Sequence, residues 1–280
     1  MRVPMAAMTH ELEGWRRYGI VFGGGVAAAF LCTAAVPFLV ASTGTTGPTA
    51  LQAQSPATAL AAIVVVFGVA AVMAGFVGRY VNAAVGLFVL GAGLWALRLR
   101  SATAIDMIFA EGSVTLVAVE IAMWGLLVLG ATWVVFRIGG PLSDIDPAEP
   151  GVSVPWWKKH GLHGAACGVL VVPVVWLVAR SPLQGQTLMA AVCGGMAVGL
   201  AGRLIAPHVQ PLLLFASPCF FGAAATLIAG MVVKGSLADA YVASDLPLLI
   251  LPMPIDYAAG SLMGVSMGLG WAKGFLHHEQ

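Results

Sequence analysis

A chain of 280 residues that is 60% hydrophobic and only 9% charged cannot keep its apolar surface away from water in a soluble fold, so its solvent is lipid. A net charge of +1 excludes the basic field that nucleic-acid binding requires, and no acidic tail is present. Period-two alternation of polar and apolar residues is absent, which argues against a membrane barrel and leaves helices to satisfy the backbone in hydrocarbon.

Residues 1–18 form a polar segment that contains Arg2, Arg16 and Arg17. The apolar run from Ile20 to Ala41 is too long for a signal-peptide core and reads as an anchor that stays attached. Since a spanning helix needs about 20 mostly apolar residues, the sequence predicts about eight spans. They lie at roughly 19–41, 57–77, 81–98, 114–137, 161–179, 187–206, 211–233 and 255–275. The third is short and follows a tight Gly78-Arg79-Tyr80 turn. Between the fourth and fifth, residues 139–156 carry Pro141, Asp144, Asp146, Pro147, Glu149 and Pro150, the composition of an extended, exposed linker. Leu246–Pro252 is too short to span and is bracketed by prolines. With Ile105–Phe109 as its counterpart, it is expected to lie at the headgroups.

Lysine and arginine set the orientation. With the amino terminus inside, nine lie on the cytoplasmic side (Arg2, Arg16, Arg17, Arg79, Arg137, Lys158, Lys159, Arg203, Lys273) and four outside (Arg98, Arg100, Arg180, Lys234). Both termini are therefore expected in the cytoplasm, with the chain in a cytoplasmic (inner) membrane.

Three pairs of segments suggest an internal duplication. Trp15-Arg16-Arg17-Tyr18-Gly19 aligns with Trp157-Lys158-Lys159-His160-Gly161, 142 residues later. Gly75-Phe76-Val77-Gly78-Arg79 aligns with Gly199-Leu200-Ala201-Gly202-Arg203 at an offset of 124, and Glu120 with Asp256 at 136. The offsets drift where loops differ in length: Ser42–Pro56 is long, and Arg180–Gln186 is short. The expected fold is thus an all-α polytopic membrane protein, two tandem four-helix repeats (19–138 and 157–276) in parallel orientation, with a tail at 277–280. Chance similarity between glycine-rich segments is the alternative.

Catalytic signatures such as GxSxG, HExxH or a Walker loop are missing, so no enzyme activity and no cofactor is expected. Cys32, Cys167, Cys193 and Cys219 sit in apolar runs without metal-ligand spacing and read as small buried hydrophobes. Bis-histidine haem ligation by His163 and His208 would need facing helices at matched depth, and the first repeat has no equivalent histidines.

Glu120 and Asp256 carry the most information, because an ionisable group within a span is costly and usually faces a bundle interior or water. As a functional pair they would form the polar lining of a path for a cation or proton. As structural groups they would cap a helix and pair with Arg98 or Arg100. Arg79 and Arg203 would sit at the inner mouth or contact lipid phosphate. Gly260, Gly264 and Gly268, with Gly195 and Gly199, form GxxxG helix-packing faces, within the bundle or in a homo- or hetero-oligomer. Membrane lipids are the expected partners. The leading expectation is a transporter-like protein with a small-solute or ion path between the repeats. The alternative is a non-catalytic membrane scaffold or assembly subunit.

Overall fold

The computed structural model describes residues 5–41, 44–142, 144–145 and 159–276. Among these residues lie eleven α-helices: α1 (Met5–Thr33), α2 (Pro56–Tyr80), α3 (Ala83–Arg98), α4 (Ala104–Phe109), α5 (Val114–Gly139), α6 (Lys159–Ala166), α7 (Val171–Val178), α8 (Gln184–Ile205), α9 (Leu212–Val232), α10 (Leu237–Val242) and α11 (Pro254–Leu276). No named strand occurs among the described residues.

Local chemistry fixes several boundaries. Pro56 opens α2, where its missing N–H costs nothing. Asn82 caps α3 by accepting from the Val85 N–H at 2.8 Å, and Ser113 accepts from Leu116 to cap α5. Gly140, with φ of 84°, ends α5. Pro173 lacks an N–H for the carbonyl four residues back, and a 3₁₀ turn at Cys167–Leu170 separates α6 from α7 there. In α9, Pro218 leaves the Leu214 carbonyl without its helical donor, and the Ser217 hydroxyl donates to that carbonyl at 2.9 Å.

Six segments are long and apolar enough to cross a membrane: Gly14–Phe38, Pro56–Tyr80, Val114–Gly139, Gly161–Val178, Gln184–Ile205 and Leu212–Val232. The protein is a helical, multi-pass membrane protein. Two further helices complete the bundle. α3 has 16 residues, about 24 Å of helix. α11 has 23 residues but contains Asp256, Ser261, Ser266, Lys273 and five glycines. Its first half, Pro254 to Val265, is buried without interruption, so protein and not lipid surrounds Asp256 and Ser261.

α11 packs along α8 and against α3, with α5 and α9 also in contact. The α8–α11 contact is backbone to backbone. A Cβ on Gly195, Gly199, Gly260, Gly264 or Gly268 would collide with a main-chain atom of the facing helix. α5 lies against α2 and α9, α1 against α2 and α3, and α7 against α8. Aromatics and cations mark the two ends. Trp15, Tyr18, Tyr80, Trp133 and Trp271 are exposed near one end, and Trp95 and Trp176 near the other. Arg137 lies 5.7 Å from the Trp133 ring, and Arg180 lies 5.2 Å from that of Trp176. Phe22, Phe30, Val64, Val65, Leu126 and Ile228 are exposed between the two ends, as a lipid-facing surface requires.

Several expectations are corrected. The first helix begins at Met5 and ends at Thr33; the apolar run to Ala41 is not all helix. Pro37 lies in a 3₁₀ turn, and the chain then folds back: the Gly47 N–H donates to Leu39 O at 2.6 Å and Gln54 to Val40 O at 2.8 Å. The described part of the 139–156 linker is docked against the bundle at Leu142 and Ile145, while Pro141 is exposed. Leu142 and Ile145 are buried, and the Gln210 side chain meets both the N–H and the carbonyl of Leu142. The rest of that linker, and Trp157 and Lys158 of the second basic box after it, lie outside the described residues. Ile105–Phe109 is part of α4, which packs against α10. Phe109 of α4 and Tyr241 of α10 touch edge to face at 6.1 Å.

Candidate functional site

Arg98 is the last residue of α3, and Asp256 lies in the first turn of α11. The Arg98 Nε donates to Asp256 Oδ1 at 2.7 Å, and neither side chain is exposed. Arg98 Nη1 donates to Ser101 Oγ at 3.1 Å and to the Ala102 carbonyl at 2.7 Å. The second carboxylate oxygen of Asp256 accepts from the Met253 N–H at 2.8 Å, which closes the start of α11. The Gln184 side chain donates to the Ser101 carbonyl, so α8 joins the same cluster. Burial of this pair is tolerable only because it is matched in charge and largely hydrogen-bonded.

Glu120 lies elsewhere. It is buried in the second turn of α5, where its two oxygens accept from the Ala50 and Leu51 N–H groups, each at 2.9 Å. Two consecutive backbone donors on one carboxylate form charge-assisted bonds and tie the folded 44–53 loop to α5. The Gln52 amide adds a second tie by accepting from the Ser113 N–H at 2.8 Å. Glu120 and Asp256 therefore hold different partners and are not brought together. Asp256 combines a cap with a pairing to Arg98, whereas Glu120 binds main chain.

The two arginines after the GxxG segments also differ. Arg79 is exposed at the end of α2. Arg203 is 5% exposed; it donates to the Pro207 carbonyl at 2.5 Å and to the Asp144 carbonyl at 2.7 Å, with the Asp144 carboxylate at 3.9 Å. It anchors the start of the linker. His208 lies between α8 and α9 and not on a helix, so the facing-helix geometry for haem is not met. Gly195, Gly199, Gly260, Gly264 and Gly268 all serve the α8–α11 contact within the chain.

Three larger concavities are present among the described residues. One of about 390 Å³ lies between the 44–53 loop and α4 and includes Thr49, Gln52, Asp106 and Phe109. A second, of about 280 Å³, lies at the opposite end between the start of α3, the end of α11 and the linker, and is lined in part by Asn82, Asp144, Ser266 and Lys273. A third, of about 320 Å³, lies beside α10 with Lys234, Asp239 and Asp245. Neither Glu120 nor Asp256 lines any of the three.

Sequence reading missed the Thr49–Gln52 loop, Gln184 and α10. A signal for α10 exists: Ser236 and Asp239 repeat the spacing of Thr103 and Asp106, the cap of α4.

Fold and site together define a helical, multi-pass integral membrane protein whose buried charges are bound by the protein itself. The chain matches no family profile, no curated protein and no solved structure.

Proposed function

We propose that the chain crosses the membrane eight times as two tandem four-helix copies in parallel orientation, and that a small solute or ion moves along the seam between them. The copies would be α1, α2, α3 and α5, then α6–α7, α8, α9 and α11. Several observations support the duplication. α4 and α10 follow the third helix of each copy and carry matched caps, Thr103 with Asp106 and Ser236 with Asp239. At the same offset of 133, each is followed by a non-glycine residue of positive φ, Glu111 at 54° and Ser244 at 60°. The cross-packing is reciprocal: α5 of one copy lies on α9 of the other, as α11 lies on α3. A twofold axis along the membrane normal would relate these pairs. The nine-to-four distribution of cations supports both termini in the cytoplasm.

The observation that carries the transport reading is the Arg98–Asp256 pair. It joins the two copies at the outer end of the α3–α11 seam, while the inner end of that seam opens into the 280 Å³ cavity with Ser266 and Lys273. In this reading the pair closes the outer side of a path whose inner mouth is open. No residue is assigned a catalytic role. Lipids are the constant partners, and an oligomer of this chain would use the uncovered Gly19–Gly23 face of α1.

A second reading, a non-catalytic scaffold, is favoured by one specific feature. The middle of the same seam is filled, with Gly91 set directly against Leu262 and Met263. One experiment separates the two. Met263→Cys in liposomes should react with a small water-soluble thiol reagent added from the cytoplasmic side, and Arg98→Gln should open it to reagent from the outer side. A thiol inert from both sides in both proteins would leave the scaffold reading. Tags at the two ends of the chain should appear on one side of the membrane, and opposite sides would end the parallel duplication.

A further inference from the structure

We propose that the cavity between the 44–53 loop and α4 binds a small organic ammonium ion. This proposal stands apart from the transport reading, since the cavity does not lie on the α3–α11 seam. Its volume of about 390 Å³ falls within the range of small-molecule sites, roughly 300–1,000 Å³. The walls are held in advance of any ligand. Glu120 fixes Ala50 and Leu51, Gln52 is bound to Ser113, and Thr103 fastens Asp106. A site whose walls are already ordered loses little freedom when it is filled.

The charge of the lining selects the ligand. Asp106 is the one charged residue among the described lining residues, and no lysine, arginine or histidine faces it there. The buried Arg98 guanidinium, bonded through Nε to Asp256 and through Nη1 to Ser101 and Ala102, does not line the cavity. An anion would meet only repulsion, whereas a protonated amine can donate to the Asp106 carboxylate. A second polar group points to a ligand independently. Thr49, 2% exposed, lines the cavity, and its Oγ1 has no hydrogen-bond partner among the described residues. A buried hydroxyl without a partner is uncommon because it has lost water and gained nothing. A rotation of the Thr49 side chain would turn this hydroxyl, which itself shows almost no surface, toward an ammonium N–H in the cavity. Met107 and Phe109 complete the lining with an apolar surface for the organic part of the ligand.

The second half of the chain provides an internal control. Asp239 stands in α10 as Asp106 stands in α4, but the cavity beside it also holds Lys234 and Asp245, and neither a buried threonine nor an aromatic residue is among its described lining.

The test uses the full chain in lipid nanodiscs with Ala110→Cys, at the exposed rim of the cavity, as reporter, and the rate of its modification by a neutral methanethiosulfonate as readout. Benzylammonium should slow the reaction about tenfold, while benzoate, of the same ring size, should leave it unchanged. Thr49→Val should abolish the protection without lowering the unfolding temperature, since the hydroxyl has no partner among the described residues to lose. Asp106→Asn should abolish it as well. A thiol at the equivalent position of the second half, Ala243→Cys, should show no protection. Equal protection by benzoate, absence of protection by benzylammonium, or protection that survives Thr49→Val would overturn the proposal.

Discussion

Arg98 and Asp256, 158 residues apart in the chain, are joined at 2.7 Å with neither side chain exposed. The cost of burying both charges is met by their attraction and by the bonds each makes to Ser101, Ala102 and Met253. Removing one partner leaves the other uncompensated. Asp256→Asn and Arg98→Gln should each destabilise the protein by about 3–5 kcal/mol. The double variant should lose less than the sum, because it leaves no lone charge. Thermal unfolding of the four proteins in one detergent measures the coupling; strict additivity would show that the pair contributes nothing as a pair.

Glu120 makes a different kind of bond, so its conservative variant has a different signature. Both of its oxygens accept from main-chain N–H groups. Glu120→Gln keeps one acceptor and turns an NH2 toward the other donor, which loses its bond. The expected cost is about 1–3 kcal/mol, concentrated in the loop. Hydrogen exchange at Ala50 and Leu51 should rise while exchange in the α8–α11 contact stays unchanged. Uniform loosening of the whole bundle would contradict this local role.

How much of this was legible in the sequence depends on the range of the interaction. The rods were legible, because apolar runs with a cap at their start carry both boundaries: α5 begins at Val114 after Ser113, and α2 begins at Pro56. The end of α1 was not, since Ala34–Ala41 is as apolar as the helix before it. What stops the helix is Pro37 together with backbone bonds from residues 47 and 54, and composition does not encode those bonds. Asp256 as a cap paired with an arginine could be read from Pro252, Pro254 and two nearby arginines, though not which arginine. The acceptor role of Glu120 toward main chain 70 residues away left no trace in side-chain identity. α10 was marked by Ser236 and Asp239, but the proline-bracketed stretch after it gives the stronger local signal.

Glycine substitutions should separate buried contacts from lipid-facing ones. A Cβ at Gly264 would strike the Val192 carbonyl of α8, whereas nothing lies within 4 Å of one at Gly23. Gly264→Ala should force α8 and α11 apart at a cost of about 1–3 kcal/mol, and Gly264→Leu should prevent folding. Gly23→Ala should leave unfolding temperature unchanged or raise it slightly, because alanine favours helix. Detergent-resistant folding of Gly264→Leu, read by size exclusion and protease resistance, would contradict the close α8–α11 contact.

The Pro218 device in α9 yields a conditional prediction. Proline removes the N–H that Leu214 O would accept, and the Ser217 hydroxyl supplies a donor in its place. In hydrocarbon an orphaned carbonyl has no water to turn to. Ser217→Ala should therefore cost about 1 kcal/mol in the native chain. In a Pro218→Ala background the substituted residue brings back its own N–H, so the same serine change should cost almost nothing. Unfolding temperatures of the two single variants and the double variant test this, and the sign of the coupling is decisive: a serine worth as much in the Pro218→Ala background as in the native chain is held there for its packing against Gly168 and not for its hydrogen bond.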